Sequence, residues 1–403
     1  MEAKSKAPKI LLVANVAKEH VLKFHVPTLK MLYESGWHVE VACSGDEDVP
    51  YCHKQHRMLY KRSPFNLALF KGIKQLKKIV DEGEYDIVYC HTPVGALAAR
   101  LASMKARKKG TKVIYMAHGH YFFKGGPLIY WLTFYPIEKI LSVVTDSMML
   151  INKEDYELTK NKFHHKKNTY LLNGIGVNLE RFVVENKEEI RKQYREELGI
   201  PQDATVLIYL AELLPNKNQT MLMRSLKSIL AENKNVYLVL AGVDHSDGKF
   251  MKYAEEIGVK ENVLYLGWRS DVPNLYAMAD ICTPTSIREG LGLNLIEAMK
   301  SGLPVVATDN RGHRTIIEDN VNGFLVPLND EELYTKKIKE LINNKELCKK
   351  FIENGNITTE KYSSDAVVEK IKGILSSTPG APLGHFVKSS FPNCLSLLNE
   401  NGQ

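Results

Sequence analysis

Cysteine is sparse in this sequence and nowhere paired. Cys43, Cys52, Cys90, Cys282, Cys348 and Cys394 are scattered through 403 residues with no C-x-x-C among them. That argues against a disulfide frame and for reduced thiols in a cytoplasmic protein. Long apolar runs are missing too. The longest uncharged, apolar-rich stretch, from Gly125 to Ile137, contains two prolines and falls far short of a membrane span. The start, MEAKSKAPKI, has no apolar segment ahead of its first strand, so no signal peptide is expected. No G-x-S-x-G, Walker A or strand-to-helix G-x-G-x-x-G occurs. The loop after the first strand, from Asn15 to His20, has no glycine at all, which argues against a dinucleotide site there. His53, His56, His164 and His165 show no zinc spacing with cysteine, so neither a metal nor another cofactor is expected.

What is present describes a soluble globular chain. Hydrophobic residues make up 44% and charged residues 25%, and the length favours two domains over one core. The net charge of +7 is uneven: residues 1–180 hold 27 Lys and Arg against 17 Asp and Glu, and the remainder 27 against 30. The basic half suits nucleic acid, an anionic membrane surface or a phosphate-bearing substrate. Basic–aromatic strand motifs for nucleic acid are absent. The lysines at 71, 74, 77 and 78, the run KARKK at 105–109 and the run KNKFHHKK at 160–167 are either solvated faces or a patch for anionic lipid. The aromatic helix expected over 127–141 reads as buried rather than membrane-dipping.

Strand and helix signals alternate along most of the chain. Apolar strands are expected at 9–14, 38–42, 87–90, 113–117, 143–145 and 169–172, separated by helical periodicities. A charged helix over 187–198 leads to a second alternating series with strands at 206–211, 236–241, 263–266, 281–283 and 305–307. The fold class is therefore α/β, with two doubly wound, Rossmann-like parallel sheets and their ligand edges facing across a cleft. The domain boundaries are set at 1–182 and 183–375. Beyond Ser376, Pro, Gly and Ser dominate, and 376–403 is expected to be a disordered tail.

Candidate chemistry concentrates between Pro284 and Pro327. Glu289 and Glu297 bracket Gly290-Leu291-Gly292, which opens a helix carrying Leu295, Ile296 and Met299 at helical spacing. The first amides of a helix lack partners and carry positive dipole, so such a loop attracts phosphate, and glycine lets the ligand approach the backbone. Helical side chains lean toward the N-terminus, which turns the Glu297 carboxylate back toward the loop. Two hydroxyl-accepting carboxylates beside an anion site suit a ligand that is part sugar, part phosphate. Alternatively, they are an ordinary N-terminal acid and a solvated helix glutamate. Lys217, in a strand-to-helix turn, is placed to meet a phosphate or is a plain loop lysine. His118, between an apolar strand and Gly119-His120, is either a cleft group or a structural histidine. Asp46-Glu47-Asp48 has a metal–diphosphate pattern but reads better as a solvated acidic turn.

Together these residues resemble the family-4 retaining glycosyltransferases, which have the GT-B fold of two facing Rossmann-like domains. The likeness rests on the E-x7-E pair inside REGLGLNLIEAMKSGLPVVAT, on Asn322-Gly323 and on GWRSDVPNLYAMAD at 267–280. His118-Gly119 and Asn173-Gly174-Ile175-Gly176-Val177-Asn178 ahead of Phe182 extend it. It is greatest to bacterial enzymes of capsule, exopolysaccharide and lipid-linked oligosaccharide synthesis. The resemblance implies that Glu297 binds ribose hydroxyls and Glu289 the donor sugar. It implies that the amides of Gly290, Leu291 and Gly292 cradle the diphosphate with Lys217, and that Arg269 borders the base. His118 would meet the donor from the first domain. Glu212 stands where the family often has a second cationic arginine, which leaves Lys217 as the one expected side-chain cation of the second domain. Asn15, His20 and His120 are the acceptor-side candidates. The implied reaction moves a hexose or N-acetylhexosamine from a nucleotide sugar, expected to be UDP-linked, to a saccharide or polyprenyl-diphosphate-linked acceptor at the inner membrane face. The alternatives are a UDP-sugar 2-epimerase of the same fold and a non-catalytic nucleotide-binding partner subunit.

Overall fold

The computed structural model describes residues 7–59, 67–164 and 168–378. The first half is a seven-stranded parallel sheet built from β1 (Lys9–Val16), β2 (His38–Ser44), β3 (Lys54–Arg57), β4 (Ile87–His91), β5 (Lys112–Ala117), β6 (Ser147–Leu150) and β7 (Thr169–Leu171). Its order is β3-β2-β1-β4-β5-β6-β7. Strands β1 and β4 are buried along nearly their whole length, as expected for central parallel strands covered by helices on both faces. The strand order reverses between β1 and β4, so the carboxyl ends of β1, β4 and β5 open onto the crevice where α/β sheets bind ligands.

The second half contains β8 (Thr205–Leu210), β9 (Val236–Ala241), β10 (Val263–Tyr265) and β11 (Ile281–Cys282), all parallel in the order β10-β9-β8-β11. A bridge from Cys282 to Val305 extends this sheet toward the parallel pair β12 (Val306–Thr308) and β13 (Phe324–Val326). The charged linking helix, Lys187–Glu197, is pinned to the second half through Arg195, which donates to Asp280 at 2.8 Å and to the Met278 carbonyl at 2.9 Å.

The α/β reading with two parallel sheets holds, with three local corrections. The strand expected at 143–145 lies at Ser147–Leu150; Ser142–Val144 is a single 3-10 turn, because Asp146 first bonds Val113 and Arg107 to set the register. The edge strand β3 carries too many polar residues to show a strand signal. The helix Leu128–Leu141 is not buried: Leu128, Ile129, Leu132, Ile137 and Ile140 face outward. Its other face, with Tyr130, Trp131, Phe134 and Tyr135, packs on the core, and Glu138 is clasped by buried Arg100 at 2.7 and 3.0 Å. Ser376 and Ser377 still belong to the helix Ser364–Ser377, which packs on the helix Val26–Glu34 of the first sheet. The remaining tail expectation falls on 379–403, outside the described residues.

Candidate active site

The second half supplies one wall of the cleft. Beyond β8 the chain forms a loop whose short turn, Pro215–Lys217, presents Lys217. Beyond β11 a segment runs back alongside it: Ile287 N donates to the Asn216 carbonyl at 2.8 Å, and Thr285 Oγ1 to the Lys217 carbonyl at 2.9 Å. These ties bring Lys217 Nζ to 2.5 Å from Glu289 Oε1, which also accepts from Ser286 Oγ at 2.6 Å. Tyr209 OH shares a 2.6 Å bond with the same serine hydroxyl. The expected lysine and the first glutamate of the pair therefore meet as a preformed, half-buried ion pair.

Gly290 follows at the point of closest approach to the first half. A Cβ there would stand 2.2 Å from the His118 carbonyl oxygen, so only glycine fits. Gly119, with φ of +132°, faces it: a Cβ on Gly119 would lie 3.2 Å from Gly290 Cα. Asn152, which caps the helix Lys153–Lys162, reaches the Gly290 carbonyl at 3.3 Å. Gly292 then caps the helix Leu293–Lys300, which carries Leu291's neighbours into the core and holds Glu297 in a partly buried position. Burial pushes the Glu297 carboxyl up to about 7, against the opposing pull of Arg181 and of Lys23 from the first half.

Arg269 forms a bidentate pair with Asp271, which also accepts from Tyr194 OH at 2.8 Å. Glu212 is exposed and lies 3.7 Å from His245. The acidic turn is neutralised locally, since Arg57 pairs with Asp48 at 3.0 Å and approaches Asp46 at 3.6 Å. In the first half, Asn15 is buried at the end of β1 with its Oδ1 lacking a hydrogen-bond partner, and His20 sits in a π-helical turn, Ala17–Val21, directly after β1. His120 points into the first half: its ring stacks on Phe122 and its Nε2 lies 3.0 Å from Thr159 Oγ1.

Several residues at the cleft escaped the sequence reading. Arg311 is buried between the halves, donating to Asp155 Oδ1 at 2.6 Å and to the His120 carbonyl at 2.6 Å. Asp155 meanwhile accepts from His120 N at 3.0 Å and Asn152 Nδ2 at 2.8 Å. Arg288 lies over the rings of Tyr121 and Phe123. A cavity of about 280 Å³ between the halves is lined by His118, Tyr121, Arg288, Glu289, Gly290 and Arg311. The expectation of Lys217 as the second half's one cation is therefore corrected: Arg288 and Arg311 border the same space. The available signal was an arginine beside glycine (Arg311-Gly312) just past a buried strand. His313, buried next to Gly292 and bonded to the Thr308 carbonyl at 2.7 Å, carried no such signal.

Two Rossmann-like sheets meeting edge to edge over a cationic, carboxylate-lined cleft define an α/β sugar-transferase architecture. Residues 190–358 match the family described as Glycosyl transferases group 1, and residues 9–152 match Glycosyl transferase 4-like. The chain is 41% identical over 372 residues to EpsD of Bacillus subtilis (strain 168), a protein whose name places it among glycosyltransferases, covering 92% of this chain and 96% of that one. It is 26% identical over 312 residues to the UDP-Gal:alpha-D-GlcNAc-diphosphoundecaprenol alpha-1,3-galactosyltransferase of Escherichia coli, covering 72% and 77%. The fold matches HepE of Anabaena, crystallised with UDP and glucose, at a TM-score of 0.73 and 19% identity, covering 92% of this chain and all of that one. It matches WaaG, a glycosyltransferase involved in lipopolysaccharide biosynthesis, at 0.71 and 18% identity, covering 92% and 100%. The chain belongs to the family-4 retaining glycosyltransferases and has the GT-B fold.

Proposed function

We propose that this enzyme transfers a hexose or N-acetylhexosamine from a UDP-sugar to a lipid-linked saccharide during synthesis of a cell-surface polysaccharide. The observation that carries the donor half of this reading is the Lys217–Glu289 pair beside Gly290, opposite His118. In this assignment Glu297 accepts the ribose hydroxyls and Glu289 those of the sugar. The amides of Gly290, Leu291 and Gly292 take the diphosphate, and Arg269 flanks the base beyond its Asp271 pair. Charge accumulates on the leaving diphosphate as the glycosidic bond breaks, and Lys217 with Arg288 stabilises it in place. His118 contacts the donor from the first half, residues 1–182, which also receives the acceptor near Asn15 and His20. Closure of the halves excludes water and limits donor hydrolysis.

The acceptor half draws support from the relatives' names, a diphosphoundecaprenol-linked acceptor in one case, and from the first half's surface. No described helix is long and apolar enough to cross a membrane. Yet Phe70, Leu101, Met104, Leu128, Leu132 and Ile140 are exposed on neighbouring helices, with Lys71, Lys74, Lys105, Lys108, Lys109 and Lys139 exposed on the same helices or just past their ends. Apolar side chains ringed by lysine suit an anionic bilayer surface, each lysine near it adding about 1 kcal/mol. A screen of UDP-, GDP- and ADP-sugars for thermal stabilisation, followed by turnover on polyprenyl-diphosphate-linked saccharides, tests the assignment. Stabilisation by a UDP-sugar and transfer with retention are expected. Isomerisation of free UDP-sugar without acceptor would instead make the chain an epimerase.

A further inference from the structure

The sequence reading discards a metal site after weighing His53, His56, His164 and His165. The fold brings together four others. His20 and His25 follow β1, His91 ends β4 and His118 follows β5, so three adjacent strands deliver them to one point on the ligand edge. One ring nitrogen from each lies within 4.8 Å of all the rest. His20 Nε2 and His25 Nε2 are 3.1 Å apart, and the His25 and His91 rings are 3.9 Å between centroids.

We propose that His20, His25, His91 and His118 bind a divalent transition metal, Zn2+ foremost, at the carboxyl edge of the first sheet beside the donor cleft. Two features argue for a ligand rather than for packing alone. First, His91 is wholly buried and neither of its ring nitrogens has a hydrogen-bond partner; His118 Nε2 is likewise buried without one. A buried polar atom left unmatched costs about 1–3 kcal/mol, and a metal would match one nitrogen of each of these two rings. Second, the spacing is nearly that of a coordination shell. Zn–N bonds of about 2.0–2.1 Å put tetrahedral ligand atoms roughly 3.3 Å apart, so the His20–His25 distance already fits and the widest pair closes by about 1.5 Å. An all-imidazole donor set suits Zn, Cu, Ni or Co rather than Mg or Ca.

The site is closed by four protein ligands, which makes it structural. It would fasten the π-helical turn after β1 to β4 and β5. With Nε2 of His118 on the metal, the proton of that ring resides on Nδ1, which fixes the tautomer.

The test uses the untagged full-length chain, stripped with chelator and dialysed against Zn2+ or Co2+. About one tightly held equivalent of metal is expected, with the visible absorption of tetrahedral Co2+. X-ray absorption of the zinc form should give four nitrogen ligands at about 2.0–2.1 Å with imidazole scattering. The double variant His25→Gln/His91→Gln should lose at least about nine-tenths of the bound metal. Absence of retained metal overturns the proposal, as does sulfur in the zinc shell or full retention by a folded double variant. Should the variant fail to fold, the absorption spectrum of the unaltered chain decides alone. UDP-sugar binding is measured separately, so the metal site and the donor assignment can each fail without the other.

Discussion

Arg311 and Asp155, 156 positions apart, form a 2.6 Å ion pair that joins the two halves of the enzyme at the floor of the cleft. Both side chains are almost fully buried. Removing one partner of such a pair strands the other charge, so Asp155→Ala should lose about 3–5 kcal/mol in denaturant unfolding. The double variant Asp155→Leu/Arg311→Met should lose distinctly less. A double loss equal to the sum of the two singles would mean that the pair does not couple the halves.

Glu297 sets a pH dependence. Its folded value is raised, to about 7, above the ordinary carboxylate value, so the folded state favours the protonated form. The cost of ionising it grows as pH rises from the ordinary carboxylate range and is fully present above about 7. In the proposed assignment ribose hydroxyls donate to the Glu297 carboxylate, so donor binding would require the ionised form. UDP-sugar affinity should therefore fall about tenfold between pH 8 and pH 6, and binding at pH 6 should release about one proton. Calorimetry across this range checks it; Glu297→Gln should bind weakly and without pH dependence. A flat profile in the unaltered enzyme would remove Glu297 from the ribose site.

Lys217 is held in place by Glu289, so in the proposed assignment it is already positioned when charge develops on the diphosphate. Lys217→Met should reduce kcat by about 10²–10³ with a smaller change in KM. A raised KM with kcat unchanged would assign the lysine to ground-state affinity instead.

Gly290 should tolerate no side chain. Its Cβ would collide with the His118 carbonyl, and neither backbone can yield without separating the halves. Gly290→Ala should expand the molecule in small-angle scattering and cut turnover by about 10²-fold, as displacements of an ångström do. Unchanged scattering and turnover would mean that the two loops need not touch during catalysis.

The exposed helix Leu128–Leu141 offers a separable test. Leu132→Glu with Ile140→Glu should abolish cosedimentation with anionic vesicles while leaving UDP-sugar binding intact. Retained vesicle binding would move the membrane contact elsewhere.

Much of the fold was legible because each central strand is a short apolar run closed by glycine or a polar turn. β1, β4, β5, β8 and β9 all announced themselves this way. β3 did not, since Lys54, Gln55, His56 and Arg57 offer no alternation. The second half's wall of the cleft was legible because Glu289, the glycine loop and Glu297 fall within one short stretch of sequence. Arg311 with Asp155, and the four converging histidines, were not. Their chemistry exists only once strands β1, β4 and β5 lie side by side and the halves meet. The helix Leu128–Leu141 was misjudged for a related reason: apolar residues surround it, and composition alone does not say which side finds a protein neighbour.

The chain passes between its two halves more than once. Val177, on the way out, bonds in register with the returning segment: its amide donates to the Tyr362 carbonyl and its carbonyl accepts from Ser364 N, each at 2.9 Å. The helix beginning at Ser364 then settles on the helix Val26–Glu34. Two crossings fastened together act like paired pins: twisting one half against the other would have to shear the bonds between them. The approach of Gly290 to the His118 carbonyl therefore depends on the paired connections as well as on the two loops that make it.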